Sequence, residues 1–377
     1  MFEQIFGVSY TLLNFVIALS VVVFVHELGH FVVARRNKVR CESFSIGFGP
    51  ELFGYTDRQG TRWKFSVIPL GGYVRMFGES DLANPAPKNK EDGGADSPRE
   101  LTLEEKAASF KHKTLAQRAA IVFAGPAVNF LFAIVVFFLM FTTIGRPVTQ
   151  PVIGSVLPDS AAAEAGLLVD DRILTIDGQK IDRFEELQRL VPLGHGAAME
   201  ITVIREDREI SLTAFPRVSE DIDAFGNTQK RALLGVTASG NAREMVRHNP
   251  IEGAVLAVSQ TYSVIDSTFV AVGQIISGKR GSEDLGGPIR IAKYSGQAAK
   301  SGWINFIVFM AILSINLGII NLFPVPLLDG GHLLFYAIEL IMGRPLSDNT
   351  QEWGLRLGFV LVVGLMVFVT WNDIAQL

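Results

Sequence analysis

Near the start of the chain, His26-Glu27-Leu28-Gly29-His30 carries the residue types and spacing of a metal site. On a helix, residues four apart share a face, so both imidazoles can reach one divalent ion. Glu27 stands one position on, near enough to take a proton from water held by that ion, whose pKa zinc lowers toward ~7. The same pattern also occurs in soluble helices as a solvated or capped polar patch. Here it closes an apolar tract, and ionisable side chains inside a bilayer are costly unless paired or metal-bound.

A catalytic zinc site needs a third protein ligand and one open position. Residues 31–40 offer no His, Asp or Glu. The best candidate lies almost at the other end of the chain, in Asn321-Leu322-Phe323-Pro324-Val325-Pro326-Leu327-Leu328-Asp329-Gly330-Gly331-His332. Asp329 is a carboxylate where a hydrophobic tract breaks up. Alone it reads as a turn former before Gly330; beside an incomplete site it reads as the missing ligand. His332 is next in line.

The elements that must hold these residues are membrane helices. Of 377 residues, 49% are hydrophobic and 19% charged, and the charge is uneven. Residues 1–30 contain Glu3 and Glu27 as their only strongly ionisable side chains, and 119–144, 304–323 and 354–370 are interrupted only by Arg356. Each tract suffices for a bilayer core, which needs roughly 20 apolar helical residues. The first lacks the basic start and small-residue cleavage site of a signal peptide, so we expect it to be retained. Arg35, Arg36, Lys38 and Arg40, then Lys111, Lys113 and Arg118, then Arg344 and Arg356 flank the tracts. The positive-inside rule then gives four spans with these clusters cytoplasmic and both termini outside. One cysteine, Cys41, excludes an internal disulfide framework and a Cys-based zinc site. A net charge of −4 points away from nucleic acid.

Between the spans, residues 42–77 alternate aromatic, β-branched and glycine residues, as in Ser43-Phe44-Ser45-Ile46-Gly47-Phe48 and Trp63-Lys64-Phe65-Ser66-Val67, which predicts strands and hairpins. Residues 79–105 are rich in Pro, Gly and charge and predict a disordered insert. Outside, Gly154-Ser155-Val156-Leu157-Pro158-Asp159-Ser160-Ala161-Ala162-Ala163-Glu164-Ala165-Gly166-Leu167, followed by Asp170-Asp171-Arg172-Ile173, resembles the core of a bacterial PDZ domain. Such modules bind extended peptides at a sheet edge. The carboxylate-binding loop of PDZ domains has no clear counterpart here, so a size filter or spacer competes with peptide binding. Residues 251–276 are apolar but broken by Glu252 and Asp266, and we expect an interfacial helix rather than a fifth span.

The HExxH motif in the first span, paired with NxxPxPxLDGGH in a late one, resembles the site-2 protease family of intramembrane zinc metalloproteases. The inserted PDZ-like module and four-span layout are similar to its bacterial regulator-of-sigma-E protease branch. Pro69-Leu70-Gly71-Gly72-Tyr73-Val74, Phe123-Ala124-Gly125-Pro126-Ala127-Val128-Asn129-Phe130 and Leu285-Gly286-Gly287-Pro288-Ile289 extend the likeness over nearly the whole chain. The resemblance implies one zinc ion per chain held by His26, His30 and Asp329, with Glu27 as general base. It implies that Asn321 holds substrate backbone, that residues 71–74, with Gly71, Gly72 and Tyr73 against substrate, belong to a membrane-associated hairpin pairing with it, and that Asn129 shapes the substrate path. Pro324, with Pro326, breaks the third span and leaves room for a polar cleft.

The expected fold is therefore an α-helical polytopic membrane protein with four transmembrane helices, a membrane-associated β-hairpin and an inserted periplasmic PDZ-like β domain. Its expected divisions are 1–36, the first span; 37–78, the hairpin; 79–115, a disordered loop; 116–145, the second span; 146–217, the PDZ-like domain. They continue with 218–303, a linker and interfacial helix; 304–332, the third span; and 333–377, a turn and the fourth. The implied setting is the bacterial inner membrane. The implied substrates are single-span proteins such as a membrane-anchored anti-sigma factor, and remnant signal peptides. Well-known members of this branch carry two tandem PDZ domains; one is evident here. A metal transporter would need a polar path that the late spans lack away from Asn316 and Asn321. A catalytically inactive PDZ-bearing scaffold would have no need of Glu27.

Overall fold

A run of helix-compatible apolar residues without proline continues from the start of the chain to two arginines, and it folds as one helix, α1 (Phe2–Arg36), in the computed structural model of the chain. The structure describes residues 2–78, 101–193, 196–222, 228–240, 242–278, 281 and 286–376. After α1 come the strands β1 (Cys41–Thr56) and β2 (Arg62–Met76), then α2 (Leu103–Ala108) and α3 (Leu115–Leu139). Next are β3 (Arg146–Thr149), β4 (Ile153–Val156), α4 (Ala161–Glu164), β5 (Arg172–Ile176), β6 (Gln179–Lys180) and α5 (Phe184–Leu193). Then follow β7 (Met199–Arg205), β8 (Arg208–Ala214), β9 (Arg217–Ile222), β10 (Thr228–Leu233), β11 (Val236–Ala238) and β12 (Arg243–Val246). The chain ends in α6 (Pro250–Ile276), α7 (Pro288–Lys300), α8 (Trp303–Leu322), α9 (Asp329–Met342) and α10 (Asp348–Ala375).

Contacts divide these elements into two units: Met1–Phe137 with Ala257–Ala271 and Gly281–Leu377, and Phe138–Leu256 with Val272–Arg280. By length and composition, five helices can cross a bilayer: Ser9–Arg36, Leu115–Ile144, Pro250–Ile276, Trp303–Leu322 and Asn349–Ala375. The third, expected as interfacial, is the least apolar, with mean hydropathy 1.3 against 2.0 or more for the others. Helix length alone therefore admits five spans, while the basic flanks favour four.

In the first unit, the alternating segment after α1 forms a hairpin whose two strands both bend. Residues 41–46 pair on one side with 72–76 (Phe44 with Val74, Ile46 with Gly72) and on the other with 62–65 (Phe44 with Trp63). The distal part of β1 pairs with the start of β2, as in Tyr55 with Trp63. Four extended segments thus lie side by side, and residues 72–76 form one edge. Phe44, 1% exposed, anchors the sheet to α1. Its ring stacks on Trp63 at 4.4 Å and meets Phe24 and Phe31 edge-on, each at 5.6 Å. Asp57 locks the tip by accepting from Trp63 Nε1, the Gln59 and Thr61 amides and the Arg35 guanidinium at the end of α1.

Part of the stretch expected to be disordered, 79–115, is folded. Residues 79–100 lie outside the described residues, but Thr102 and Glu105 form a reciprocal capping box that starts α2. The buried Phe110 that follows joins the core beneath the hairpin. The late apolar tract expected to run through 332 stops instead at Leu322, because Pro324 and Pro326 cannot continue a helix. Asp329 then opens α9. Its first turn packs so tightly on the preceding loop that a Cβ at Gly330 would lie 2.3 Å from the Leu322 carbonyl oxygen, and one at Gly331 2.3 Å from that of Val325.

In the second unit, β6-β5-β7-β8 form an antiparallel sheet, with β4 pairing β11, β3 pairing β12 and β9 pairing β10. Its core gathers Ile153, Leu167, Ile173, Leu187, Ile201 and Val203. The fully buried Asp171 is matched by a bidentate Arg205 guanidinium at 2.7 Å, which holds β7 to the loop before β5. Strands β11 and β12 pair back onto β4 and β3, so segments beyond residue 217 complete these pairings.

Candidate metal and catalytic site

Helical periodicity stacks His26 over His30 on one face of α1, and the start of α9 brings Asp329 against both. The two imidazole Nε2 atoms are 3.2 Å apart. Asp329 Oδ2 lies 3.2 Å from His26 Nε2 and 3.5 Å from His30 Nε2. Both histidines are under 10% exposed. Asp329 Oδ2 is buried with no donor aimed at it, although it stands among three convergent ligand atoms. Native proteins rarely bury a carboxylate oxygen unsatisfied, so this orphan marks a place for a cation. Two imidazoles and one carboxylate are the donor set of a three-ligand zinc site with an open position.

The backbone of α3 walls the site from behind. A Cβ on Gly125 would lie 2.3 Å from His30 Nε2 and 2.8 Å from His26 Cε1, so only glycine leaves the imidazoles their space. Pro126 sits inside α3 and lacks the N–H that would meet the Val122 carbonyl. One residue earlier, the Ile121 carbonyl oxygen is 2.9 Å from His30 Nδ1. A carbonyl only accepts, so Nδ1 carries the proton and Nε2 keeps a lone pair for a metal. Gly29 packs α1 equally closely on α3, with a Cβ there 2.4 Å from the Ala124 carbonyl oxygen.

The site opens into a cavity of about 1440 Å³ lined in part by His26, Glu27, His30, Asn321 and Asp329, and by Gly71, Gly72 and Tyr73 of the hairpin edge. Glu27 faces it and takes a hydrogen bond from the Val74 backbone N–H of that edge. Asn321, in the last turn of α8, brings Nδ2 to 3.4 Å from His26 Nε2. His332 lines the cavity but lies outside the three-residue ligand cluster.

A model of peptidase family M50 matches residues 14–365. The chain belongs to this family. A protein of Agrobacterium fabrum with a provisional zinc-metalloprotease name is 44% identical over 96% of this chain and 95% of its own. One of Rhizobium meliloti, named likewise, is 41% identical over 98% and 97%. Protease RseP of Yersinia pestis is 32% identical over 98% of this chain and its whole length. That alignment spans 471 positions, so the relative carries segments with no counterpart among these 377 residues.

Within this M50 chain, His26, Glu27, His30, Asn321, Asp329 and Gly71–Tyr73 converge on one cavity although they come from four elements. Two residues singled out in the sequence stand elsewhere. Asn129 is fully buried behind His26, its Nδ2 3.1 Å from the ring's Nδ1, and does not line the cavity. Pro324 is exposed in the loop after α8 and does not line it either. Ile121 had no role in the sequence reading, and Gly125 and Val74 entered it only within the strings that carry the resemblance. The Gly125-Pro126 pair inside an apolar helix was a signal, since both residues are poor helix formers there.

Proposed function

We propose that the chain is an intramembrane zinc endopeptidase that cuts the transmembrane segments of single-span proteins. The observation that carries this is the His26–His30–Asp329 cluster with an orphan buried carboxylate oxygen, set in a cavity beside Glu27 and the outer strand of the hairpin. His26 and His30 would hold zinc through Nε2 and Asp329 through Oδ2. Bound there, the metal supplies Lewis acidity at the scissile carbonyl and makes water nucleophilic at neutral pH. Glu27 accepts the proton from the attacking water and passes it to the departing amine. The Val74 N–H keeps its carboxylate turned to the cavity.

A helical substrate hides its carbonyls in i→i−4 hydrogen bonds and has to unwind to be cut. Unwound backbone in a bilayer needs substitute partners. The edge at residues 72–76 provides them by strand addition, and the Asn321 carboxamide provides another beside the ligands. Four spans place both termini and the PDZ-like module in the periplasm of a bacterial inner membrane. In that setting the module filters or recruits substrates, of which a membrane-anchored anti-sigma factor and remnant signal peptides are the classes we favour.

The test is cleavage of a single-span reporter by the purified enzyme and its Glu27→Gln variant. The variant keeps one zinc per chain and loses about 10²–10⁴-fold in turnover, the usual cost of a missing general base. More than about a tenth of wild-type turnover in the variant, or reporter cleavage confined to its soluble part, overturns the assignment.

A further inference from the structure

We propose that Asn129 is a positioning residue of the metal centre: its carboxamide oxygen accepts a hydrogen bond from His26 Nδ1–H and so fixes the tautomer that leaves Nε2 free for the metal. This rests on the ligand roles given above. An imidazole binding a metal through one nitrogen carries its proton on the other, and a partner for that N–H sets both tautomer and ring angle. His30 has the Ile121 carbonyl oxygen in this place. For His26 the group in this place is the Asn129 side chain, 0% exposed and 3.1 Å away.

Two features favour the oxygen as the end that meets the ring. As placed, Nδ2 points at Nδ1, which would oppose two donors once His26 binds a metal through Nε2. The same placement leaves Asn129 Oδ1 buried with no donor. The two ends of a carboxamide have nearly the same shape, and their assignment follows from the hydrogen bonds they make. Exchanging them brings Oδ1 to His26 Nδ1–H and turns Nδ2, a donor, to the side from which no donor reaches Oδ1. The backbone is also held, because Ser314 Oγ of α8 donates to the Asn129 carbonyl at 3.1 Å. Substituting the side chain leaves that tie intact.

The experiment measures zinc affinity by chelator competition in purified wild type, Asn129→Leu and Asn129→Asp, with the ligand-field spectrum of the cobalt(II) forms and the thermal unfolding of the metal-free forms. Leucine keeps the size and removes the acceptor; aspartate keeps the acceptor. We expect the leucine variant to bind zinc about 10–100-fold more weakly, the range for loss of such a partner. Its cobalt spectrum should shift, while the aspartate variant recovers both. If metal-free Asn129→Leu fails to fold, Asn129→Ala takes its place in the same comparison. Wild-type affinity in the leucine or alanine variant overturns the proposal, and so does equal loss in the aspartate variant while its metal-free fold is intact. A wild type without zinc would instead overturn the ligand assignment itself.

Discussion

Gly125→Ala tests whether the back wall of the site is as tight as the structure has it. The added methyl would sit 2.3 Å from His30 Nε2, 2.5 Å from His30 Cε1 and 2.8 Å from His26 Cε1. Ordinary carbon contacts begin near ~3.5 Å, so the His30 ring must retreat by roughly 1 Å or the helices must part. Neither is free. His30 is tied by Nδ1 to Ile121, and Gly29 already brings the two helices into backbone contact. Metal sites tolerate ligand displacements of only about 0.2 Å, and a misplacement near 1 Å costs on the order of 10²-fold in a preorganised site. The expected result is a loss of peptidase turnover on the order of a hundredfold together with weakened zinc binding, elemental analysis giving less than one zinc per chain. Alanine is a better helix former than glycine, so α3 itself should not weaken. Stoichiometric zinc and wild-type chelator resistance in Gly125→Ala would refute the packing argument.

Asp329→Asn should weaken zinc binding as well as activity, whereas Asn321→Ala should keep zinc and lose substrate processing; full chelator-resistant zinc in Asp329→Asn would hand the third position to His332. Asp57 bears on pH. Partial burial alone would raise its pKa, but hydrogen bonds from Trp63, Thr61, Arg35 and Gln59 outweigh that and hold it at about 2 against an ordinary 3.8. A carboxyl lowered by folding stabilises above its unfolded pKa and loses that contribution as pH falls toward 2. Asp57→Asn should therefore lower the unfolding temperature at pH 7, through charged hydrogen bonds worth ~1–3 kcal/mol, and the gap from wild type should shrink below pH 4; a gap independent of pH would refute this. Single cysteines at Gln59 and Asp207, in a Cys41→Ser background, should label from opposite sides of the membrane in the four-span arrangement. If Arg344→Cys labels from the same side as Asp207→Cys, α6 is a fifth span.

The donor set was legible because chemistry restricts it. Histidines four apart on a helix share a face whatever surrounds them, and with no donor in residues 31–40 the set had to be completed from far downstream, by Asp329 or His332. The break after α8 was legible in part: Pro324 and Pro326 announced it, but not that Asp329 would restart a helix at once. A helix N-terminus suits a carboxylate electrostatically, and the two glycines that looked like turn formers admit the close packing of that first turn. Asn129 was assigned to the substrate path by the family resemblance alone. Only packing shows it turned onto a ligand instead. The capping box at Thr102–Glu105 was in the sequence, hidden by the charged composition around it.

The hairpin and the Glu27 carboxylate cannot be treated as separate parts. Gly72 lies so close to α1 that a Cβ there would be 2.9 Å from Val23 Cγ1 and 3.3 Å from Glu27 Cγ. Two residues on, the Val74 N–H binds the Glu27 carboxylate. The edge we propose for an unwound substrate is thus the edge that orients the proposed base. Larger side chains at residue 72 would push the strand from α1 and loosen Glu27 in the same movement. Affinity for extended backbone and rate of proton transfer should therefore fall together. At Asn321, which touches no carboxylate among its described hydrogen bonds, they should separate.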